Sequence, residues 1–239
     1  VLISVPLIYF FFRKYLVWPK NLLLQLSRSI FLFLSTVLFF YSISVISMAK
    51  ALTLAFVAPI IVTILSALIL KEKVGIHRWS AVILGFIGAL IVIQPGFIKL
   101  NIATIAGLGT GISYAFYIIS TRKLSDFDNP YITLIFTGVF GAILISLIVP
   151  FYWTMPNLDQ VLIMICLALV GTFGHFCLIL SLNYAEASKL APLAYFEIVN
   201  NILIGYYFFG DFPNRSLWIG LFFIISSGVY ISLREHIKK

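Results

Sequence analysis

Long apolar runs separated by short polar connections dominate this sequence and restrict what it can fold into. A helix needs roughly twenty apolar residues to cross the hydrocarbon core of a bilayer, and runs of that order recur along the chain. Hydrophobic residues make up 62% of the sequence and charged residues only 10%, against about 25% charged residues in an average soluble domain. The sequence therefore predicts an all-α polytopic membrane helical bundle.

The apolar runs predict about nine membrane spans, of which the first is partial. The opening run holds about twelve apolar residues, fewer than a span needs, so we expect a truncated start with the missing half of that span upstream. The predicted spans cover residues 1–12, 30–47, 51–70, 79–94, 102–120, 131–151, 161–182, 190–209 and 217–233.

The basic residues are confined to the connections between these spans. If the spans alternate from a cytoplasmic connection at Arg13, only Lys50, Lys99 and Arg215 of the sixteen Lys and Arg residues lie outside. This bias follows the positive-inside rule, so the net charge of +8 orients the chain and does not indicate nucleic-acid binding. We expect an integral protein of the bacterial inner (plasma) membrane with a cytoplasmic C-terminus.

One apolar stretch, residues 190–209, carries a carboxylate and two amides. Glu197, Asn200 and Asn201 are spaced i, i+3, i+4, which gathers them on one face of a helix. A charge near the centre of a membrane helix costs about 2.5 to 3.5 kcal/mol on insertion scales, so it usually faces a cavity or a partner. A continuous helix would place Glu197 about 10 Å from its start. We interpret this face as the lining of a transport pathway.

Several roles remain open for these polar groups. Glu197 could couple transport to a proton or another cation, bind a cationic substrate group, or join a neighbouring helix by a hydrogen bond. Asn200 and Asn201 could bind polar substrate groups or link helices. His175, in the span 161–182, could relay protons because its ordinary pKa is near 6.5, although a neutral packing histidine is favoured.

Tyrosines and glycines in other spans have simpler interpretations. Tyr114 and Tyr41 are candidates for stacking on a substrate, but core packing is the favoured role in so aromatic a chain. Gly107 and Gly111 form a GxxxG spacing that allows close helix approach. Glu72, at the end of a span, is expected to be solvated or to cap a helix. The pattern predicts no metal site and no redox or organic cofactor.

A weak internal repeat organises the chain. A shift of 139 residues aligns KALTLAF, Lys50–Phe56, with KLAPLAY, Lys189–Tyr195. The two lysines lie on opposite predicted sides of the membrane, so the repeats would have inverted topology, dividing the chain into residues 1–96 and 97–239. Inverted repeats are frequent in secondary transporters, which carry substrates by alternating access between the halves.

Two longer stretches carry a resemblance to a known family. They are FVAPIIVTILSALILKEKVGIHRWSAVILGFIGALIVI, Phe56–Ile93, and SKLAPLAYFEIVNNILIGYYFFGDFPNRSLWIGLFFIISSGVYI, Ser188–Ile231. Each has an apolar helix, an acidic turn and a helix rich in small residues, and in this order the sequence resembles the drug/metabolite transporter superfamily, specifically its ten-span EamA-type members. The resemblance implies two inverted five-span repeats, with the first span and half of the second absent from the given sequence.

The predicted function is that of a secondary transporter, not an enzyme, for a small polar metabolite. Amino acids, S-adenosylmethionine-like compounds and related molecules remain open as substrates. The expected partners are the substrate, the lipid bilayer and a coupling proton or other ion, and the sequence leaves a homodimer open. An alternative is an intramembrane serine hydrolase with Ser113 as nucleophile and His175 as base. Against it, the motif GISY lacks the glycine expected after the nucleophile.

Overall fold

The described part of the chain is helical throughout. A computed structural model describes residues 18–94, 96, 100–151, 153–209 and 215–237, and these residues contain no strand. The α-helices in these ranges are α1 (Leu22–Val45), α2 (Met48–Ala55), α3 (Ala58–Ile69), α4 (Ile76–Ile93), α5 (Ile102–Leu124), α6 (Pro130–Ile148), α7 (Leu158–Tyr184), α8 (Ala187–Leu190), α9 (Phe196–Phe209) and α10 (Arg215–Ile237). Short 3-10 segments cover Val149–Phe151 and Ala191–Tyr195.

Seven helical stretches of the described residues are long and apolar enough to cross a membrane. This confirms the predicted all-α polytopic bundle, but the number is lower than the predicted nine. The first predicted span, residues 1–12, lies outside the described residues. The eighth, residues 190–209, is wrong as a single helix.

The eighth predicted span is broken at Pro192. The 3-10 segment Ala191–Tyr195 separates the four-residue α8 from α9. Proline has no backbone N–H, and its ring clashes with the carbonyl four residues earlier, so a regular α-helix does not continue through it. The 14 residues of α9 extend about 21 Å at the usual rise per residue, less than the roughly 30 Å of hydrocarbon.

A second break interrupts the third predicted span between α2 and α3. Pro59 lies in the first turn of α3 and cannot donate to the carbonyl of Ala55. That carbonyl oxygen lies close to α5, because a Cβ added to Gly111 would be only 2.9 Å from it. A Cβ at Gly107 would be 2.7 Å from the Leu54 side chain. Both glycines therefore allow close packing, as their spacing predicted.

The helices form two compact units. The first unit comprises Ser120–Ala185 together with the described residues before Leu34, and the second comprises Leu34–Ile119 together with the described residues from Glu186 onward. Helices α1 and α5 each contribute residues to both units.

Within the second unit, α4 packs closely against α10. A Cβ added to Gly88 would lie 2.8 Å from the carbonyl oxygen of Gly220, and one added to Gly85 would lie 3.2 Å from the Ser227 hydroxyl. Gly220 in turn meets Val92, where an added Cβ would lie 2.5 Å from a methyl group. Residues later in α4 therefore contact residues earlier in α10, which means that the two helices are antiparallel.

Candidate functional site

Glu197 lies at the beginning of a helix and not within one. It belongs to the first turn of α9, directly after the 3-10 segment Ala191–Tyr195. The predicted depth of about 10 Å along a continuous helix is therefore wrong, because the break at Pro192 restarts the helix at Phe196. The first turn of a helix has unpaired N–H groups and a positive end, which favour a carboxylate. Broken helices of this kind form substrate and ion sites in many transporters.

The polar side chains of α9 share an uncovered face. Glu197, Asn200 and Asn201 are all exposed, whereas the neighbouring Ile198 is only 4% exposed and belongs to the apolar core around Tyr195. The i, i+3, i+4 spacing thus gathers the three polar groups as predicted. Core packing therefore covers the Ile198 side of α9 and leaves these three side chains exposed.

Tyr114 is the candidate site residue on α5. Its hydroxyl interacts electrostatically with Glu197 and with Tyr117. The Tyr114 and Tyr117 rings pack with their centroids 5.5 Å apart. Tyr117 is fully buried, whereas Tyr114 is half-buried. The structure therefore brings Tyr114 toward Glu197.

Tyr41 and His175 lie on helices other than α9, which carries Glu197. Tyr41 is exposed on α1. His175 is half-buried on α7 in the first unit, where it interacts electrostatically with Arg28.

Arg28 is a buried cation that the predicted span boundaries had placed in a connection. Helix α1 begins at Leu22, so Arg28 lies inside it and is fully buried. Its Nε donates to the Thr121 hydroxyl at 2.7 Å, and its Nη1 donates to the Thr133 carbonyl at 3.2 Å and to the Thr137 hydroxyl. Gln25, one turn earlier, donates to Asp128 at 2.9 Å. The sequence did carry a sign of this buried polar cluster, because Gln25 and Arg28 are spaced i, i+3 within the otherwise apolar stretch LLLQLSRSIFLFL.

Tyr195 is a second residue that the sequence interpretation did not select. It is fully buried, and its hydroxyl donates to the carbonyl oxygen of Phe56 at 3.2 Å. The two rings pack with centroids 5.9 Å apart. Phe56 and Tyr195 end the two aligned segments of the 139-residue repeat, so the repeat itself was the signal for this pair. Each residue lies at a helix break.

Seven membrane-length apolar helices among the described residues define a polytopic membrane protein. The sequence profile of the EamA-like transporter family matches residues 1–94 and 101–233. The chain belongs to the EamA-like transporter family, which confirms the resemblance found in the sequence.

Three characterised or named relatives are similar to much of the chain. A riboflavin transporter of Vibrio cholerae is 31% identical over 194 residues, covering 78% of this chain and 63% of the relative. An S-adenosylmethionine uptake transporter of Rickettsia prowazekii is 24% identical over 208 residues, covering 87% and 71%. An uncharacterized transporter of Helicobacter pylori is 29% identical over 216 residues, covering 86% and 72%. The chain therefore spans less than two thirds of the riboflavin transporter.

A solved crystal structure has the same fold. It superimposes with a TM-score of 0.83 at 15% identity, covering 96% of this chain and 84% of the other. At that identity the likeness concerns the fold alone.

The serine hydrolase alternative gains no support from these observations. Ser113 is buried on α5, and the family match is to transporters.

Proposed function

We propose that this protein is a secondary transporter that moves a small polar metabolite across the membrane by alternating access. The observation that carries the proposal is the pair of helix breaks joined by the hydrogen bond from Tyr195 to Phe56, in a chain of a transporter family. Broken helices at the interface between inverted repeats are where secondary transporters bind substrates and coupling ions.

The contacts within the second unit support two inverted repeats with the predicted division at residues 96 and 97. A shift of 139 residues carries the first residue of α4, Ile76, onto the first residue of α10, Arg215. These corresponding helices pack against each other in opposite directions, as an in-plane pseudo-two-fold axis requires. The family profile also matches the chain in two segments that separate between residues 94 and 101.

Glu197 is the proposed centre of recognition or coupling. Under the shift its counterpart in the first repeat is Ala58, which is buried, whereas Glu197 is exposed beside Tyr114. The carboxylate is thus a feature of one repeat only. It would bind a cationic group of the substrate or carry a coupling proton or cation, and Asn200 and Asn201 would bind polar substrate groups.

The substrate class follows from the relatives' names and from the chemistry of this face. Riboflavin and S-adenosylmethionine, for which these relatives are named, are both small polar metabolites with heteroaromatic rings. A carboxylate, two amides and a tyrosine suit such a molecule, since they offer charge, hydrogen bonds and an aromatic surface.

Uptake into proteoliposomes tests the proposal. The full-length protein is supplied with a metabolite panel, with and without a pH gradient, and wild type is compared with Glu197→Gln. We expect the variant to lose most uptake or its response to the gradient. The matched control is Asp159→Asn, an exposed carboxylate in the first turn of α7, which should keep both. Unchanged, pH-insensitive flux in Glu197→Gln would remove both proposed roles of that carboxylate.

A further inference from the structure

A polar network joins the connection before α4 to the start of α8. Glu72 accepts hydrogen bonds from the backbone N–H groups of Ala187 and Ser188, at 2.9 and 3.0 Å, and from the Ser188 hydroxyl at 2.6 Å. Glu72 therefore caps the start of α8, which confirms the capping role among its predicted roles. Lys71, directly before it, adopts a left-handed backbone with φ of 56°, a conformation that is unfavourable for a residue other than glycine.

Arg78 completes this network from the first turn of α4. Its Nη1 donates to Glu186 Oε2 at 2.5 Å and to the Ser188 hydroxyl at 2.8 Å. The Arg78 side chain is only 10% exposed, and that of Glu186 is 36% exposed. Lys189 approaches the other oxygen of Glu186 at 3.6 Å. A charge-assisted pair this sheltered is stronger than an ordinary surface ion pair.

The repeat predicts what each contact becomes when the two halves exchange conformations, which is how inverted repeats produce the opposite-facing state. A contact between residues i and j is then replaced by a contact between j − 139 and i + 139. The contact of Phe56 with Tyr195 maps onto itself, because the two positions differ by 139. This pair lies on the pseudo-two-fold axis and can persist in both states.

The Arg78 contacts behave differently under the same exchange. The pair Arg78 and Glu186 maps onto Leu217 and Ser47, which cannot form an ion pair. The hydrogen bond from Arg78 to Ser188 maps onto Leu217 and Ala49, which have no polar side-chain groups to replace it. The Glu72 contacts, by contrast, map onto Asp211 with the backbone N–H groups of Met48 and Ala49, so an acidic side chain is retained there. The Arg78 contacts therefore exist in one state only and stabilise that state.

We propose that Arg78, Glu186 and Ser188 form a one-sided latch that favours the state closed on the predicted cytoplasmic side. The inference rests on the proposed alternating access. The latch lies among the basic connections that the positive-inside rule assigns to the cytoplasm. Opening to that side separates the start of α8 from α4 and breaks these bonds without forming equivalent ones opposite.

Sided labelling of a reporter cysteine tests the latch. In full-length protein with Cys166 and Cys177 replaced by serine, Asn200→Cys is labelled by a membrane-impermeant maleimide from either side of oriented vesicles. We expect Arg78→Leu to raise the ratio of cytoplasmic to outer labelling about tenfold, since a hydrogen bond to a charged group contributes roughly that much to an equilibrium. The control Arg122→Leu removes a more exposed pair with Asp126 and should change the ratio less than about twofold.

Two further variants keep the test decisive if Arg78→Leu fails to fold. Ser188→Ala removes one acceptor of Arg78 and should shift the ratio in the same direction by a smaller factor. The double variant Ser47→Glu with Leu217→Arg installs the pair at the corresponding positions and should shift the ratio in the opposite direction.

The outcomes separate the latch from the proposed function. If wild type labels from both sides and none of these variants moves the ratio, the latch is wrong while alternating access stands. If the wild-type reporter is reached from one side only, with and without substrate, alternating access fails and the latch fails with it.

Discussion

The hydroxyl of Tyr195 donates a hydrogen bond to the carbonyl oxygen of Phe56, 3.2 Å away and 139 residues earlier in the chain. That separation equals the shift that aligns the two halves of the sequence. Two corresponding residues can touch only beside the axis that relates them. The contact therefore locates the pseudo-two-fold axis of the proposed repeats at the two helix breaks.

Removal of this hydroxyl tests its contribution to stability. We expect Tyr195→Phe to lower the free energy of unfolding in detergent by about 1 to 3 kcal/mol, because it leaves the buried Phe56 carbonyl without that donor. The control Tyr207→Phe removes a hydroxyl from a side chain that is 76% exposed. Its effect should stay within about 0.5 kcal/mol. Equal effects of the two substitutions would contradict a specific role for the bond.

Glycine substitutions test the close packing of α4 on α10. Gly88→Ala would place a Cβ 2.8 Å from the backbone oxygen of Gly220, which cannot move like a flexible side chain. We expect a loss of about 1 to 3 kcal/mol in the free energy of unfolding. In Gly171→Ala, on α7, the added Cβ meets nothing within 4 Å. That control should be neutral or stabilising by up to about 1 kcal/mol, and a comparable loss there would refute the packing argument.

Arg28 provides a test in which the chemically similar substitution is the more harmful one. Arg28→Lys keeps a charge at a fully buried position but loses the planar fork that reaches Thr121 and Thr133 together. We expect Arg28→Lys to lower the free energy of unfolding by about 2 kcal/mol or more. Arg28→Met removes both the charge and the donors, so we expect it to lower the free energy of unfolding by less. Thermal unfolding of the two variants decides the order, with Arg122→Lys, at a side chain that is 24% exposed, as the less buried control. A more stable Lys variant would contradict this reasoning.

The two asparagines of α9 separate substrate binding from helix joining. Asn200→Ala and Asn201→Ala alter exposed side chains, so we expect the free energy of unfolding to change by less than about 0.5 kcal/mol. If these amides bind the substrate, KM for uptake should rise about fivefold or more, as loss of one net hydrogen bond implies. A stability loss above 1 kcal/mol with unchanged KM would assign them to helix joining.

Much of the fold could be predicted because a membrane span can be recognised from the length and the apolar composition of a chain segment. The predicted span 102–120 corresponds to Ile102–Leu124, and 131–151 corresponds to Pro130–Phe151. The largest difference within the described residues concerns 190–209. Pro192 marked that region, but a proline alone does not decide the outcome, because the stretch that contains Pro59 still counts as one span.

The candidate site was only partly predictable. The grouping of Glu197, Asn200 and Asn201 on one face follows from helical spacing, and the structure agrees with it. The position of Glu197 at a helix start depends on where α9 begins. The proximity of Tyr114 depends on how α5 packs, and it therefore required the tertiary structure.

The sequence by itself determined that this protein is a helical membrane bundle, where most of its spans lie and which family it belongs to. Apolar length decides the bundle and its spans, because a bilayer core accepts only chain segments that satisfy their own backbone hydrogen bonds, whereas the order of the sequence motifs decides the family. Only the tertiary structure decided that Arg28 is buried, that Arg78 holds Glu186, and that Tyr195 meets Phe56. These contacts join residues far apart in the chain, and their stability comes from excluding water and lipid around specific polar partners.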